Sequence, residues 1–340
     1  MSTETHDYPD NPVLVRRWRG GRVESVHRGA WALVDLDGRV LDGVGEVGFP
    51  VFARSSTKAL QALPLLESGA AERFGFGDPE LALACASHNG ELQHTEVVAR
   101  MLEATGSSVG DLRCGSHAPY DREAADALIE SGQDPTAIHN NCSGKHAGFL
   151  ALARHLGEEL EGYIDPRSGS QQLVRAAVQD MTGAADEELS VAVDGCSAPT
   201  FRLPLVRLAH AFARFANPAD LAPERRAACE RLAGAVASHP DLIGASRDQI
   251  CSAIARVTRG RLFPKIGAEA VYVVGVRGGD RALALKMDDG SKRGLHPLLI
   301  DLLRRFELLT EVELRALSGW QAGALRNWAG VEVGRAEVIW

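Results

Sequence analysis

Strand-forming sequence stands at both ends of this chain and helix-forming sequence fills its middle, and that order restricts the fold more than any other feature. On the N-terminal side, Val13-Leu14-Val15, Trp31-Ala32-Leu33-Val34 and Arg39-Val40-Leu41 are short apolar runs of strand type, and Asp37-Gly38 is a two-residue hairpin turn. Residues 23–47 are therefore expected to form an antiparallel meander, which Gly48-Phe49-Pro50 ends. From Ser55 onward the apolar spacing becomes helical, over 59–66, 79–86 and 92–104. It stays helical after His146, through 171–182, 203–216 and 223–238. Strand periodicity returns at 269–276 and 281–287, joined through Arg277-Gly278-Gly279-Asp280. An apolar helix over 298–309 and an edge strand over 331–339 follow. Without βαβ alternation, this order predicts an α+β fold, with a central antiparallel sheet assembled from both chain ends and a helical lobe inserted. The sheet lobe would take residues 12–54 and 190–340, the helical lobe 55–189, in a single unit of residues 1–340.

Composition narrows the function classes. At 340 residues the chain is long enough for one large or two interleaved lobes. Its net charge of −8, with both signs interspersed and no basic stripe, argues against nucleic acid as a partner. No apolar run approaches the roughly 20 residues that span a bilayer, and residues 1–11 lack an apolar leader core. Six scattered cysteines do not make a disulfide framework, so reduced thiols and a cytoplasmic setting are expected.

Polar islands carry the chemistry. In Arg54-Ser55-Ser56-Thr57-Lys58, Ser55 and Lys58 are three apart, which on a helix puts their Cβ atoms about 5–6 Å apart on one face. A serine hydroxyl needs a neighbouring base to act as a nucleophile, and a desolvated lysine is one. Free N–H groups at a helix start would also hold an oxyanion. The bland alternative is a capping serine followed by a solvated lysine. Ser87-His88-Asn89-Gly90-Glu91 interrupts helical patterns and, if buried, requires every polar group paired. Lys265-Ile266-Gly267 precedes the strand at 269–276. A lysine there would bring an ammonium to a nucleophile from another lobe, with Gly267 giving close access to the backbone.

Two more islands complete the set. Cys142 and Lys145 are three apart and Cys196 follows later in the chain, so two thiolates and one amine offer a zinc site with an open position; buried cysteines packing as small hydrophobes are the alternative. Asp194, at a strand end before Gly195, either holds a substrate ammonium or forms a turn. His88 and His146 orient ligands or protons, or serve the packing alone.

Together, Arg54-Ser55-Ser56-Thr57-Lys58, Cys85-Ala86-Ser87-His88-Asn89-Gly90-Glu91, Asn141-Cys142-Ser143-Gly144-Lys145-His146, Asp194-Gly195-Cys196-Ser197-Ala198-Pro199 and Lys265-Ile266-Gly267-Ala268-Glu269 resemble the asparaginase II family of the rhizobial type, the class 3 L-asparaginases. The resemblance implies a fold like that of serine β-lactamases and glutaminases, and hydrolysis of L-asparagine to L-aspartate and ammonia through an acyl-enzyme. It implies two Ser–Lys pairs, Ser55 with Lys58 and Ser87 with Lys265, with Ser55 the expected nucleophile. It further implies a zinc site of Cys142, Lys145 and Cys196, a substrate pocket involving Arg54, Asp194, His146 and Asn89, and a homodimer. Ile266 stands where β-lactamases carry a hydroxyl residue in Lys-Thr-Gly, which argues against β-lactam chemistry. The alternatives are a glutaminase or other acyl-serine hydrolase of the same fold, and a non-catalytic zinc or amino-acid binding homologue. A lysine base and a lysine ligand both gain from rising pH, so activity is expected to increase into the alkaline range.

Overall fold

The computed structural model describes residues 8–340. Its main sheet holds β1 (Val13–Arg19), β2 (Arg22–Asp35), β3 (Val40–Val44), β7 (Leu262–Gly267), β8 (Val271–Val276), β9 (Arg281–Met287), β10 (Ala324–Arg326) and β11 (Glu332–Val338). The order is β10-β11-β1-β2-β9-β8-β7, with β3 also pairing β2, and the pairings are antiparallel. β1 lies between β2 and β11, with Val15 opposite both His27 and Val338, and β2 meets β9 with Trp31 opposite Leu285. The α+β expectation, one antiparallel sheet made from both chain ends with helices inserted, therefore holds. A second sheet, β4 (Pro50–Phe52), β6 (Pro199–Pro204) and β5 (Ser190–Val193), stitches the entrance of the helical segment to its exit.

The helical segment begins with a 3-10 turn at Arg54–Thr57. It continues through α1 (Lys58–Gln61), α2 (Leu63–Glu67), α3 (Ala70–Arg73), α4 (Asp78–Ala84), α5 (Leu92–Thr105), α6 (Arg122–Glu130), α7 (Ser143–Leu156) and α8 (Gly169–Thr182). α7 is the axis of this lobe: its residues 143–153 are all buried among α2, α4, α5 and α8. A helix surrounded in this way is apolar on every side, and Phe149-Leu150-Ala151-Leu152-Ala153 supplies that. α9 (Leu205–Ala216) carries Leu205, Leu208, Phe212 and Phe215 on one stripe and lays it across β2, β8 and β9. α10 (Pro223–Ser238) falls in the stretch expected to belong to the sheet lobe, yet it packs on α2 and α4. α11 (Ile250–Val257) leads into β7, α12 (Lys292–Arg305) covers β1, β9 and β11, and α13 (Glu311–Ala316) follows with a Thr310 cap.

One hydrophobic cluster runs through both lobes. Within it Phe263 of β7 packs against Phe215, centroids 4.7 Å apart, and stacks on Phe212 at 6.0 Å. These two ring contacts fix on α9 the strand that carries Lys265. No helix among the described residues is long and apolar enough to cross a membrane.

Candidate active site

The segment after α4 is held extended by its neighbours. Ser87 N–H donates to the Ile243 carbonyl at 3.0 Å and Asn89 N–H to Gly244 at 2.8 Å. His88 locks the middle: its Nδ1 accepts the Gly90 N–H at 3.2 Å, so Nε2 carries the hydrogen and donates to Ser143 Oγ at 2.9 Å. Ser143 in turn donates to Ile138. His88 is fully buried and stacks on His94, and burial, then that second imidazole, holds it well below the usual histidine range. It is neutral, and its two bonds tie the segment that carries Ser87 to the start of α7.

Lys265 is the ammonium brought from the other lobe. It lies inside β7, a strand the sequence does not suggest, and is paired with Val273 of β8, the strand expected after it. Its Nζ is 2.8 Å from Ser87 Oγ and 2.9 Å from the Ile266 carbonyl. The side chain is wholly buried, and burial first, then the nearby Lys58 cation, pushes its ammonium down to about 7. A lysine titrating there is neutral often enough near neutral pH to accept a hydroxyl proton.

Lys58 is also wholly buried, and its Nζ donates to the Ala86 carbonyl at 2.5 Å and to Asn141 at 3.2 Å. The three-residue spacing from Ser55 exists, but these ammonium bonds run toward the Ser87 segment and the start of α7. Ser55 opens into a cleft of about 550 Å³ together with Ser87, Asn89, Tyr120, Gly267 and His296. The two serines, drawn from chain segments far apart, therefore share one cavity.

Gly267 has a different partner from the expected one. A Cβ there would lie 2.6 Å from the Ala53 carbonyl and 3.2 Å from Ser56 N, so the close approach it permits is that of the 54–57 turn. Strand and turn are thereby pressed together, which sets Ser55 against the Lys265 strand.

Beside this cleft a second group of residues converges. Arg54, with φ of 51° in the left-handed region, directs Nε to Asp194 Oδ1 at 2.5 Å. Burial works to raise the Asp194 carboxyl, but Lys145 and Arg54 outweigh it and hold it below the ordinary range. Lys145 Nζ lies 3.1 Å from Cys196 Sγ, and Cys196 Sγ lies 3.9 Å from Asp194 Oδ2. A hydrogen bond from Cys196 and the Lys58 and Lys145 cations overcome burial and hold Cys142 well below the usual thiol range, while Cys196 is raised. Cys142, Lys145 and Cys196 thus meet as two sulfurs and an amine. Among the described residues no group of three or more His, Cys, Asp or Glu side chains is placed to hold a metal. The donor set here is the softer one of two thiols and a lysine, and that chemistry fits zinc.

His146 does not reach the cleft. It is fully buried, its Nδ1 accepting from Tyr163 Oη at 2.6 Å, and that phenol accepts the Arg113 N–H at 2.8 Å. Burial and then the Lys145 charge keep the ring neutral. The periodicity of α7 accounts for this: His146 is enclosed in the wholly buried stretch of that helix. Several residues of the cleft wall escape the sequence reading, His296 and Tyr120 among them. Tyr120 stacks on His117, whose Nε2 accepts the Asn141 N–H at 3.0 Å. Their only sequence signal is a proline-containing turn, His117-Ala118-Pro119-Tyr120, which does not announce a ligand.

The fold and the site define an α+β protein with a buried lysine on a cleft serine. The family model described as "L-asparaginase II" matches residues 15–338. The chain belongs to that family. No curated protein matches it. Among solved structures it is similar to one titled "Crystal Structure Analysis of Mglu in its glutamate form", at 13% identity over 83% of this chain and 61% of that one, with a TM-score of 0.37. It is also similar to "Crystal Structure Analysis of Mglu in its native form", at 14% identity over 87% and 68%, with a TM-score of 0.37. The chain spans about three fifths of the length of the first of these.

Proposed function

We propose that this protein is an amidohydrolase that converts L-asparagine to L-aspartate and ammonia through a serine acyl-enzyme. The observation that carries the reading is Lys265 Nζ at 2.8 Å from Ser87 Oγ, with the ammonium pushed down to about 7, in a cleft shared with Ser55. In this reading Ser55 Oγ bonds to the side-chain amide carbon while its proton passes to Lys265 by way of Ser87. The same proton returns to the departing nitrogen, the C–N bond breaks and ammonia leaves. Lys265, neutral again, draws a proton from water; the hydroxide frees aspartate and the serine is restored. Lys58 serves as the cation that keeps Lys265 neutral, and Asn89 faces the substrate from the cleft wall.

Arg54 and Asp194 are proposed to receive the carboxylate and ammonium of the amino acid. Zinc is proposed to be held by Cys142, Lys145 and Cys196, and when bound it would supply a fixed positive charge for anchoring the substrate. Six free cysteines support a reducing, cytoplasmic setting, and the resemblance to the rhizobial enzymes supports a homodimer.

A second reading, favoured by the same 2.8 Å contact, has Ser87 attack directly. Acid quenching during turnover followed by peptide mass analysis separates the two: an aspartyl adduct on Ser55 supports the relay, an adduct on Ser87 the direct attack. Absence of any adduct together with unimpaired turnover in both alanine variants would end the acyl-enzyme reading. Ammonia release measured side by side on asparagine and glutamine decides the substrate.

A further inference from the structure

On the side of the fold away from the cleft, the end of α9, one face of α10, the α11–β7 turn and the β8–β9 turn enclose a groove of about 600 Å³. Four arginines line it, Arg226, Arg259, Arg261 and Arg277, against one carboxylate, Glu230. In a chain of net charge −8 this is a local reversal of sign. Among the described residues only Arg261 has an ion-pair partner, Glu313 at 2.8 Å. Arg226 bonds the Ala219 and Leu221 carbonyls, Arg261 also the Leu308 carbonyl at 2.9 Å, and Arg277 the Gly260 carbonyl at 3.3 Å. A carbonyl orients a guanidinium but leaves its charge uncompensated, and most of its five donors remain free.

The backbone is shaped to present these groups. Gly260, at φ of 71°, admits the Arg277 guanidinium: a Cβ there would lie 3.3 Å from Nη1 and 2.2 Å from Ala237 Cβ. Arg259, just before it, is held at φ of 52°, a left-handed conformation that costs a non-glycine residue on the order of 1 kcal/mol. The conformation of Arg259 is that of the cap ending α11, where Arg259 N–H bonds the Arg256 carbonyl at 3.1 Å and Gly260 N–H the Ala255 carbonyl at 2.8 Å, and this turn sets Arg259 on the groove wall.

We propose that this groove is a binding site for a phosphate-bearing small anion. Planar guanidiniums converging from three segments match phosphate oxygens through paired N–H donors, and the groove has the size of an ordinary small-ligand site. It is separate from the proposed active site: Arg261 immediately precedes β7 and Lys265 lies about 13 Å further along that strand.

Titration calorimetry of the full chain with pyrophosphate and with adenosine triphosphate tests this. Binding is expected to weaken as salt rises, as it does for exposed charges. It is expected to fall about tenfold or more in Arg259→Gly, a variant that removes the charge while relieving the backbone, so folding is retained and Tm does not drop. Ser87→Ala should bind both anions like the parent. Binding of either anion supports the site, and the triphosphate is expected to bind at least as tightly because it carries one phosphate more. No heat at millimolar pyrophosphate or triphosphate, or undiminished binding in Arg259→Gly, would overturn the proposal.

Discussion

At the scale of single residues, reactivity here is a matter of what surrounds a lysine. Lys265 is an ordinary amine that burial and Lys58 leave partly unprotonated near neutral pH. Replacing it by Met should lower kcat/KM by roughly a thousandfold or more, and Ser87→Ala should do the same, since linked groups fail together. The parent kcat/KM should rise through about pH 7 and level off above it, because only the neutral amine accepts a proton. A profile that falls between about pH 6 and 8 would reject the base assignment. The residues proposed for these roles are picked out by type. Ser55, Lys58, Ser87 and Lys265 all stand in polar islands, and a polar island amid apolar helices must be paired or functional. The destination of the Lys58 bonds was not readable, because Ala86 and Asn141 offer backbone carbonyls that no side-chain pattern reports.

At the scale of elements, the site depends on two contacts between distant segments. β7 presses on the 54–57 turn through Gly267, and Phe263 anchors the same strand on α9. Gly267→Ala should force the turn and strand apart, costing ~1–3 kcal/mol of stability, as overpacking does. It should also depress kcat far more than a surface Gly→Ala change; a variant with parental kcat and Tm would show that the contact is not needed. Periodicity revealed α10 and β9 with their observed boundaries, since both are long or flanked by clear punctuation. It shows the strand after Lys265 but not β7, the strand that holds Lys265, because Leu262-Phe263-Pro264 contains a proline, which demotes a run from strand in any sequence reading. His146 was drawn toward the substrate by its neighbours in the polar island, yet the burial of α7 on every side decided its place.

At the scale of the whole molecule, the buried lysine has a cost to folding. Its amine binds a proton less readily folded than unfolded, so between pH of about 7 and about 10.4 the unfolded chain carries more protons and stability rises with pH. Below about pH 7 the penalty is fully present. Lys265→Met should therefore raise stability by a few kcal/mol at about pH 6 and by progressively less toward about pH 10, measured by denaturant titration. An advantage that stays constant with pH would mean packing, not charge, is responsible. A chelator tests the proposed zinc separately: holo protein should lose Tm on metal removal and regain it with added zinc, and an unchanged Tm would count against Cys142, Lys145 and Cys196 as ligands.

The chain has five lysines, Lys58, Lys145, Lys265, Lys286 and Lys292, so their side-chain nitrogens can be followed individually by NMR after 15N-lysine labelling. The central claim is that one of them is a near-neutral amine on a cleft serine. One Nζ signal, absent from Lys265→Met, should titrate with a midpoint of about 7. A Lys265 signal that stays protonated up to about pH 10 would contradict the account.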